Sequence, residues 1–230
     1  MRKPGATTLE RSHVHRTLTG LRSLAMPRIA TELTVRQAAD QRRSIRVYTP
    51  EPVPEADLRE IIRVAGLAPS SWNAQPWRFV VVRDAAQKAK LQVAVNDQKQ
   101  VGRAAAAIVI YSDMTDAANH IDEATNPAMS QETRAKSADR FRRAMAEMAD
   151  ADRAAWGHMQ TYIALGYLLL AAESMGYATS PMLGFKADEV KILLGLPPHV
   201  TVAAVVALGI AGEQGRPKHR FPPERIASYR

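Results

Sequence analysis

Residues 54–84, PEADLREIIRVAGLAPSSWNAQPWRFVVVRD, decide the fold. Leu58, Ile61, Ile62 and Ala65 recur at helical spacing, Glu55 and Asp57 stand early in the helix, and Gly66 and Pro69 mark its end. WRFVVVRD then reads as a buried strand. Between them the loop APSSWNAQPW, residues 68–77, concentrates prolines, serines, amides and tryptophans.

Upstream, Thr34 is placed to cap a short helix, VRQAADQ, that stops near Arg42, and RVYTPEPV runs extended toward Pro54, which suits a first helical turn. Downstream, DAAQKAKLQVAVND reads as a helix and AAAAIVIYSD as a second buried strand. Residues 114–150 are polar and Met-rich, helical with a loop. A long helix from about Asp152 carries Met159, Tyr162, Ile163, Gly166, Tyr167, Leu169 and Leu170 as a broad apolar surface, with Gly176 as its stop. YATSPMLGF is a short extended segment and turn, ADEVKILLGL a helix, and TVAAVVALGIAG a third buried strand. Long helices over a small buried sheet define an α+β protein.

A chain of 230 residues that is 46% hydrophobic can bury one good core, so residues 33–230 are expected to form one domain. The absence of cysteine excludes disulfides and thiol chemistry and fits a cytoplasmic location. The longest apolar block, residues 162–172, is too short to cross a bilayer and reads as a buried helix of a soluble protein. The net charge of +8 points first to nucleic acid, but most of it lies in residues 1–30, where six Lys/Arg face Glu10 alone. Nucleic acid is therefore not an expected partner. Residues 1–32 form a basic extension whose composition fits a flexible tail, a transit-peptide-like segment, or a chain starting at Met26; it is expected to have no catalytic role, with His13 and His15 solvated.

Several patterns bear on chemistry. RRSIR, residues 42–46, gathers guanidiniums and a hydroxyl that suit phosphate, and Lys218 and Arg220 in PKHR form a second basic cluster. Gly209, Gly212 and Gly215 follow a strand, yet Pro217 and the missing helix fail the context of a dinucleotide loop. Ser70 and Ser71 lack a nucleophile elbow, and the histidines form no metal-binding spacing.

The order RRSIRVY, PVPEADLREIIRVAGLAPSSWNAQPWRFVVV, QTYIALGYLLLAAESMGYATSPMLGF, LLGLP, PKHR closely resembles the FMN-dependent nitroreductase family, over roughly residues 35–220. The resemblance implies a central, mostly antiparallel sheet flanked by helices in an intertwined homodimer, with FMN at the subunit interface. It implies that Arg42, Arg43, Ser44, Lys218 and Arg220 hold the ribityl phosphate. It places Arg46 near the N1 and C2 carbonyl edge of the flavin, where a cation stabilises the charge that develops on reduction; Arg46 is the expected catalytic residue, its alternative a further phosphate ligand. Pro69, Ser70, Ser71 and Asn73 match a segment that touches the flavin from the neighbouring subunit, and Gln160 an amide at the ring's polar edge. Pro181, Met182, Leu183 and Gly184 match the turn whose backbone amides face flavin N5 and O4. Many relatives carry Glu where this chain has Leu183, which puts the usual substrate preference in question. Asn96, Gln98 and Lys99 stay unassigned, and Trp72, Phe141, Met145 and Trp156 are either pocket wall or packing.

The implied activity is ping-pong: NAD(P)H reduces the flavin, and a nitroaromatic, quinone or similar small electrophile takes the electrons. The alternatives are reductive dehalogenation, reduction of an activated carbonyl (enal or semialdehyde) or alkene, and flavin binding without turnover.

Overall fold

The computed structural model describes residues 32–230; the N-terminal extension, with His13 and His15, lies outside the described residues. Helix α1 (Val35–Gln41) opens on Thr34, whose side chain accepts from the Gln37 amide in a capping box. Helix α2 (Glu55–Gly66) buries Leu58, Ile61 and Ala65 as the spacing predicts; Pro54 stands just ahead of the first turn, as its N-cap. A 3₁₀ turn (Ser71–Asn73) leads to β1 (Trp77–Val82). Then come α3 (Ala85–Ala94), α4 (Lys99–Arg103) and β2 (Ala106–Ser112). The polar region resolves into α5 (Met114–Asn119), α6 (Ile121–Ala124) and α7 (Gln131–Glu147). The long helix α8 (Asp150–Ser174) precedes β3 (Ala178–Met182), α9 (Ala187–Leu194), β4 (Thr201–Gly209) and α10 (Pro223–Ile226).

The four strands lie in the order β1-β2-β4-β3, and every pairing is antiparallel. Side chains alternate between two cores, as a period of two requires. Ile108, Ile110, Ala204, Val206 and Leu208 face α2 and α8, whereas Ala107, Val109, Val205 and Ala207 face the side of α3, α4 and α9. β4 is covered on both faces, which is why TVAAVVALG reads as a continuous apolar run rather than an alternating one. Phe141, Met145, Met114 and Ile121 form a third, smaller core among α5, α6 and α7.

Helix α8 corrects one expectation, because residues 162–172 are not buried throughout. The face on the sheet is made of Thr161, Ala164, Leu165, Leu168, Ala171 and Ala172, while Met159 is 60% and Tyr167 40% exposed, with Ile163 beside them. A helix apolar all round has two faces, and the one with small residues approaches the sheet more closely. Among the described residues no helix is long and apolar enough to cross a membrane.

Candidate functional site

The chain leaves α1 at Arg42 and runs beside β3, an edge strand of the sheet. Ser44 forms a parallel bridge with Thr179, and the Ile45 amide donates to the Thr179 carbonyl at 3.1 Å. Tyr48 bridges Ala211, and its buried hydroxyl donates to the Ile45 carbonyl at 2.7 Å, with the Ala207 carbonyl 3.1 Å away. Burial pushes that phenol far above its ordinary range.

Four cations from separated parts of the chain meet at this edge. The Lys218 ammonium bonds the Ala39 carbonyl and reaches that of Asp40 at 3.2 Å, while Arg43 closes the end of α1 through the carbonyls of Asp40 (2.7 Å) and Gln41 (2.8 Å). Arg42 is half-buried, and its Nη1 is fully enclosed without a hydrogen-bond partner among the described residues. Burial lowers its pKa, Glu173 opposes that shift, and Arg220 and Arg43 add to it. Burial first, then Arg43, Arg220 and Arg42, likewise lower Lys218. Glu173, at the end of α8, is raised by burial against the pull of Arg42, Arg43 and Lys218. A buried donor without an acceptor is costly, and here it stands among like charges. The chemistry that satisfies it is a compact anion of high charge, such as a phosphate monoester.

The other end of β3 carries the turn of Pro181, Met182, Leu183 and Gly184. Proline is tolerated in an edge strand, Leu183 is exposed, and the Gly184 carbonyl accepts from Gln98 Nε2 at 2.9 Å. The loop between α3 and α4 reaches this turn through two left-handed residues, Asn96 (φ 58°) and Asp97 (φ 53°). Asn96 and Gln98 belong beside the candidate site; the signal for them was an Asn-Asp pair between helices, a pairing that tolerates positive φ.

The loop of Pro69, Ser70, Ser71 and Asn73 lies elsewhere. Trp72, Asn73 and Gln75 have φ of 62°, 55° and 44°, a run of left-handed residues that persists only where surroundings enforce it. Ser70 Oγ accepts from the Gln75 amide at 2.9 Å, Asn73 Nδ2 donates to the Ala124 carbonyl at 2.7 Å, and the Ser71 amide donates to Gln160 Oε1 at 2.9 Å. Trp72 packs edge-on against Phe141, which meets Trp156 at 6.1 Å. Asp113, just past β2, donates its amide to the Pro76 carbonyl, which ties the loop to that end of the sheet.

The strand register separates the two groups. Trp77 pairs with Ser112 and Ser112 with Thr201, at the start of β4, whereas Ala178 pairs with Gly209 at its end. At about 3.3 Å per residue along β4 and about 4.8 Å per strand across the sheet, the serine loop and the cation cluster stand on the order of 20 Å apart in one chain.

The comparisons agree with this architecture. Residues 39–210 match the model of the "Nitroreductase family". The chain is 47% identical to the NADH dehydrogenase of Thermus thermophilus, over 86% of this chain and 97% of that protein. It is 31% identical to YdgI of Bacillus subtilis, which carries an NAD(P)H nitroreductase name, over 82% and 94% of the two chains. A crystal structure of a nitroreductase-like protein in complex with FMN, from Exiguobacterium sibiricum, superposes with a TM-score of 0.80 at 27% identity, covering 87% of this chain and 99% of that one. With the family model spanning most of the chain and the relatives matched nearly end to end, the protein belongs to the nitroreductase family.

Proposed function

We propose that the protein is an FMN-dependent oxidoreductase that takes electrons from NAD(P)H and passes them to a small electrophile such as a nitroaromatic or a quinone, with residues 33–230 as the FMN-binding domain. The observation that carries this reading is the enclosed Arg42 Nη1, without a partner among the described residues and set among Arg43, Lys218 and Arg220 beside β3. FMN, when bound, supplies the hydride relay from nicotinamide to acceptor through N5, in a ping-pong sequence.

Each residue group has a separate task. Arg42, Arg43, Ser44, Lys218 and Arg220 hold the phosphate, and the anion relieves the like-charge crowding at Arg42 and Lys218. Arg46 keeps a positive charge beside the ring's N1 and C2 carbonyl edge and so favours its reduction. The backbone of Pro181, Met182, Leu183 and Gly184 orients the ring without a titrating side chain, while Leu183 makes that rim apolar. No protein acid or base is needed beyond water and backbone donors.

A homodimer fits two observations. The uncovered face of α8 presents Met159, Ile163 and Tyr167, an apolar stripe that a second copy would cover. The distance between the cation cluster and the loop of Pro69, Ser70, Ser71 and Asn73 is bridged if the loop, with Gln160 behind it, serves the partner's FMN. A cysteine-free chain suits the cytoplasm.

The test is direct. The purified protein should be yellow or become so with added FMN, and NADH or NADPH should bleach it anaerobically. A colourless protein indifferent to FMN would sink the reading, and a monomer that binds FMN fully would sink the interface assignment. A yellow protein that nicotinamides fail to reduce would be a flavin carrier instead.

A further inference from the structure

We infer that Glu213 is a positioning residue for Arg46, its carboxylate clamping the backbone from which the guanidinium projects. The inference rests on the FMN reading for what Arg46 does, though not for the clamp itself.

One oxygen of Glu213 accepts two successive amides, from Arg46 at 2.8 Å and from Val47 at 3.2 Å. Consecutive amides that converge on one oxygen form an anion-binding concavity, here filled by the protein's own carboxylate. The flanking backbone is tied as well. The Val47 carbonyl accepts from the Gly212 amide at 2.9 Å, the Thr49 amide donates to Ile210 at 3.0 Å, and Ile45 is bound on both sides through Thr179 and Tyr48. Among the described residues the Arg46 guanidinium, by contrast, makes one long hydrogen bond, 3.4 Å to the Ser44 carbonyl. Its backbone is held and its head is left available.

The glycines that failed as a dinucleotide loop have a place in this arrangement. A Cβ on Gly209 would stand 3.0 Å from Tyr48 Cδ1, one on Gly212 3.1 Å from the Tyr48 carbonyl carbon, and one on Gly215 2.5 Å from Arg43 Cβ. All three contacts fall on residues 43–49, so LGIAGEQG is a track for that segment, and Glu213 is the one charged side chain within it. Gly212 and Gly215 let the chain pass closely enough for the carboxylate to reach the two amides. A charge that stabilises a reduced ring must be preorganised, and an arginine on an exposed turn is preorganised only if its backbone is.

The test compares Glu213→Ala and Glu213→Gln with wild type by three measurements: amide hydrogen exchange at Arg46 and Val47 without flavin, FMN affinity, and the reduction potential of bound FMN with its rate of reduction by NAD(P)H. Glu213→Ala should speed exchange at those two amides about tenfold. It should lower the potential and slow reduction about tenfold or more, with FMN affinity largely kept because Arg42 and Lys218 are untouched. Glu213→Gln retains an acceptor oxygen and should restore most of each property. Unchanged exchange in Glu213→Ala would overturn the clamp. Faster exchange with unchanged potential and rate would overturn the positioning role, as would parallel losses of FMN affinity and rate that Gln does not rescue. If wild type binds no FMN, the proposed function and Arg46's task fall together, while the exchange data still decide the clamp.

Discussion

Segments 42–49 and 69–77 are both irregular, both rich in hydrogen-bonding groups, and held in opposite ways. The first is fixed through its backbone by Thr179, Ile210, Gly212 and Glu213, so Arg42 Nη1 and the Arg46 guanidinium are left largely unspent. The second is fixed largely through side chains, with the Asp113 amide on the Pro76 carbonyl as its backbone tie to the sheet: Ser70 closes its turn, Asn73 reaches Ala124, Gln160 receives the Ser71 amide, and Arg78 holds the Gln75 carbonyl at 2.9 Å. The difference teaches that a segment's polar content does not tell how much of it is available to a ligand. What counts is whether backbone pairing or side chains provide the anchoring.

The sharpest break in this comparison is Arg46→Ala. The variant should slow flavin reduction about a hundredfold while weakening FMN binding much less, measured by anaerobic stopped flow against flavin titration. Equal losses in both would make Arg46 another phosphate ligand. Next is Arg42→Ala, which should raise the FMN dissociation constant about ten- to a hundredfold with little change in the reduction rate of the flavin that remains bound. Unchanged affinity would remove the cation cluster as the phosphate site.

Smaller effects belong to the serine loop. Asn73→Ala deletes the bond to the Ala124 carbonyl and leaves a left-handed residue without its polar support, and should cost about 1 kcal/mol in denaturant unfolding. Asn73→Gly should cost less, because glycine takes positive φ freely. If the two variants are equal, backbone strain is no part of what holds the loop.

The smallest effect is a pH dependence. The Arg78 hydrogen bond holds the Asp116 carboxyl below its ordinary 3.8, and the Asp116 backbone and then its charge hold His120 above 6.5. Asp116 adds stability that is complete above about pH 4 and lost as pH falls through its depressed value; His120 adds stability that is complete below about pH 6.5 and lost as pH rises through its raised value. The anchor beside the loop is therefore firmest from about pH 4 to 6.5, and the gap in Tm between wild type and Asp116→Asn should be widest there. His120 is exposed and Asp116 only partly buried, so the gap is small. A gap that grows steadily toward alkaline pH would refute the arrangement.

Much of the fold was legible because its elements obey strong periods. Leu58, Ile61 and Ala65 point one way from α2, and the apolar runs of β2 and β4 leave little choice but burial in a sheet, whereas β1, expected to be buried, is an edge strand buried only at Trp77 and Val82. Helix α4 was not legible: KQVGR is too short for a period to show, and contacts with α3 hold it. The outer face of α8 was misread because an apolar composition does not reveal which side meets the sheet.

By itself the sequence determined the α+β class, the order of the long helices and the strands, and the residue types of the site, since periodicity and local chemistry act within a few residues. Tertiary structure decided which groups meet: that Lys218 and Arg220 join Arg42 across most of the chain, that the glycine series carries residues 43–49 rather than a dinucleotide, and that the serine loop stands at the far end of the sheet. Those encounters depend on strand order and register, which are set by long-range packing of the whole core and which no local pattern encodes.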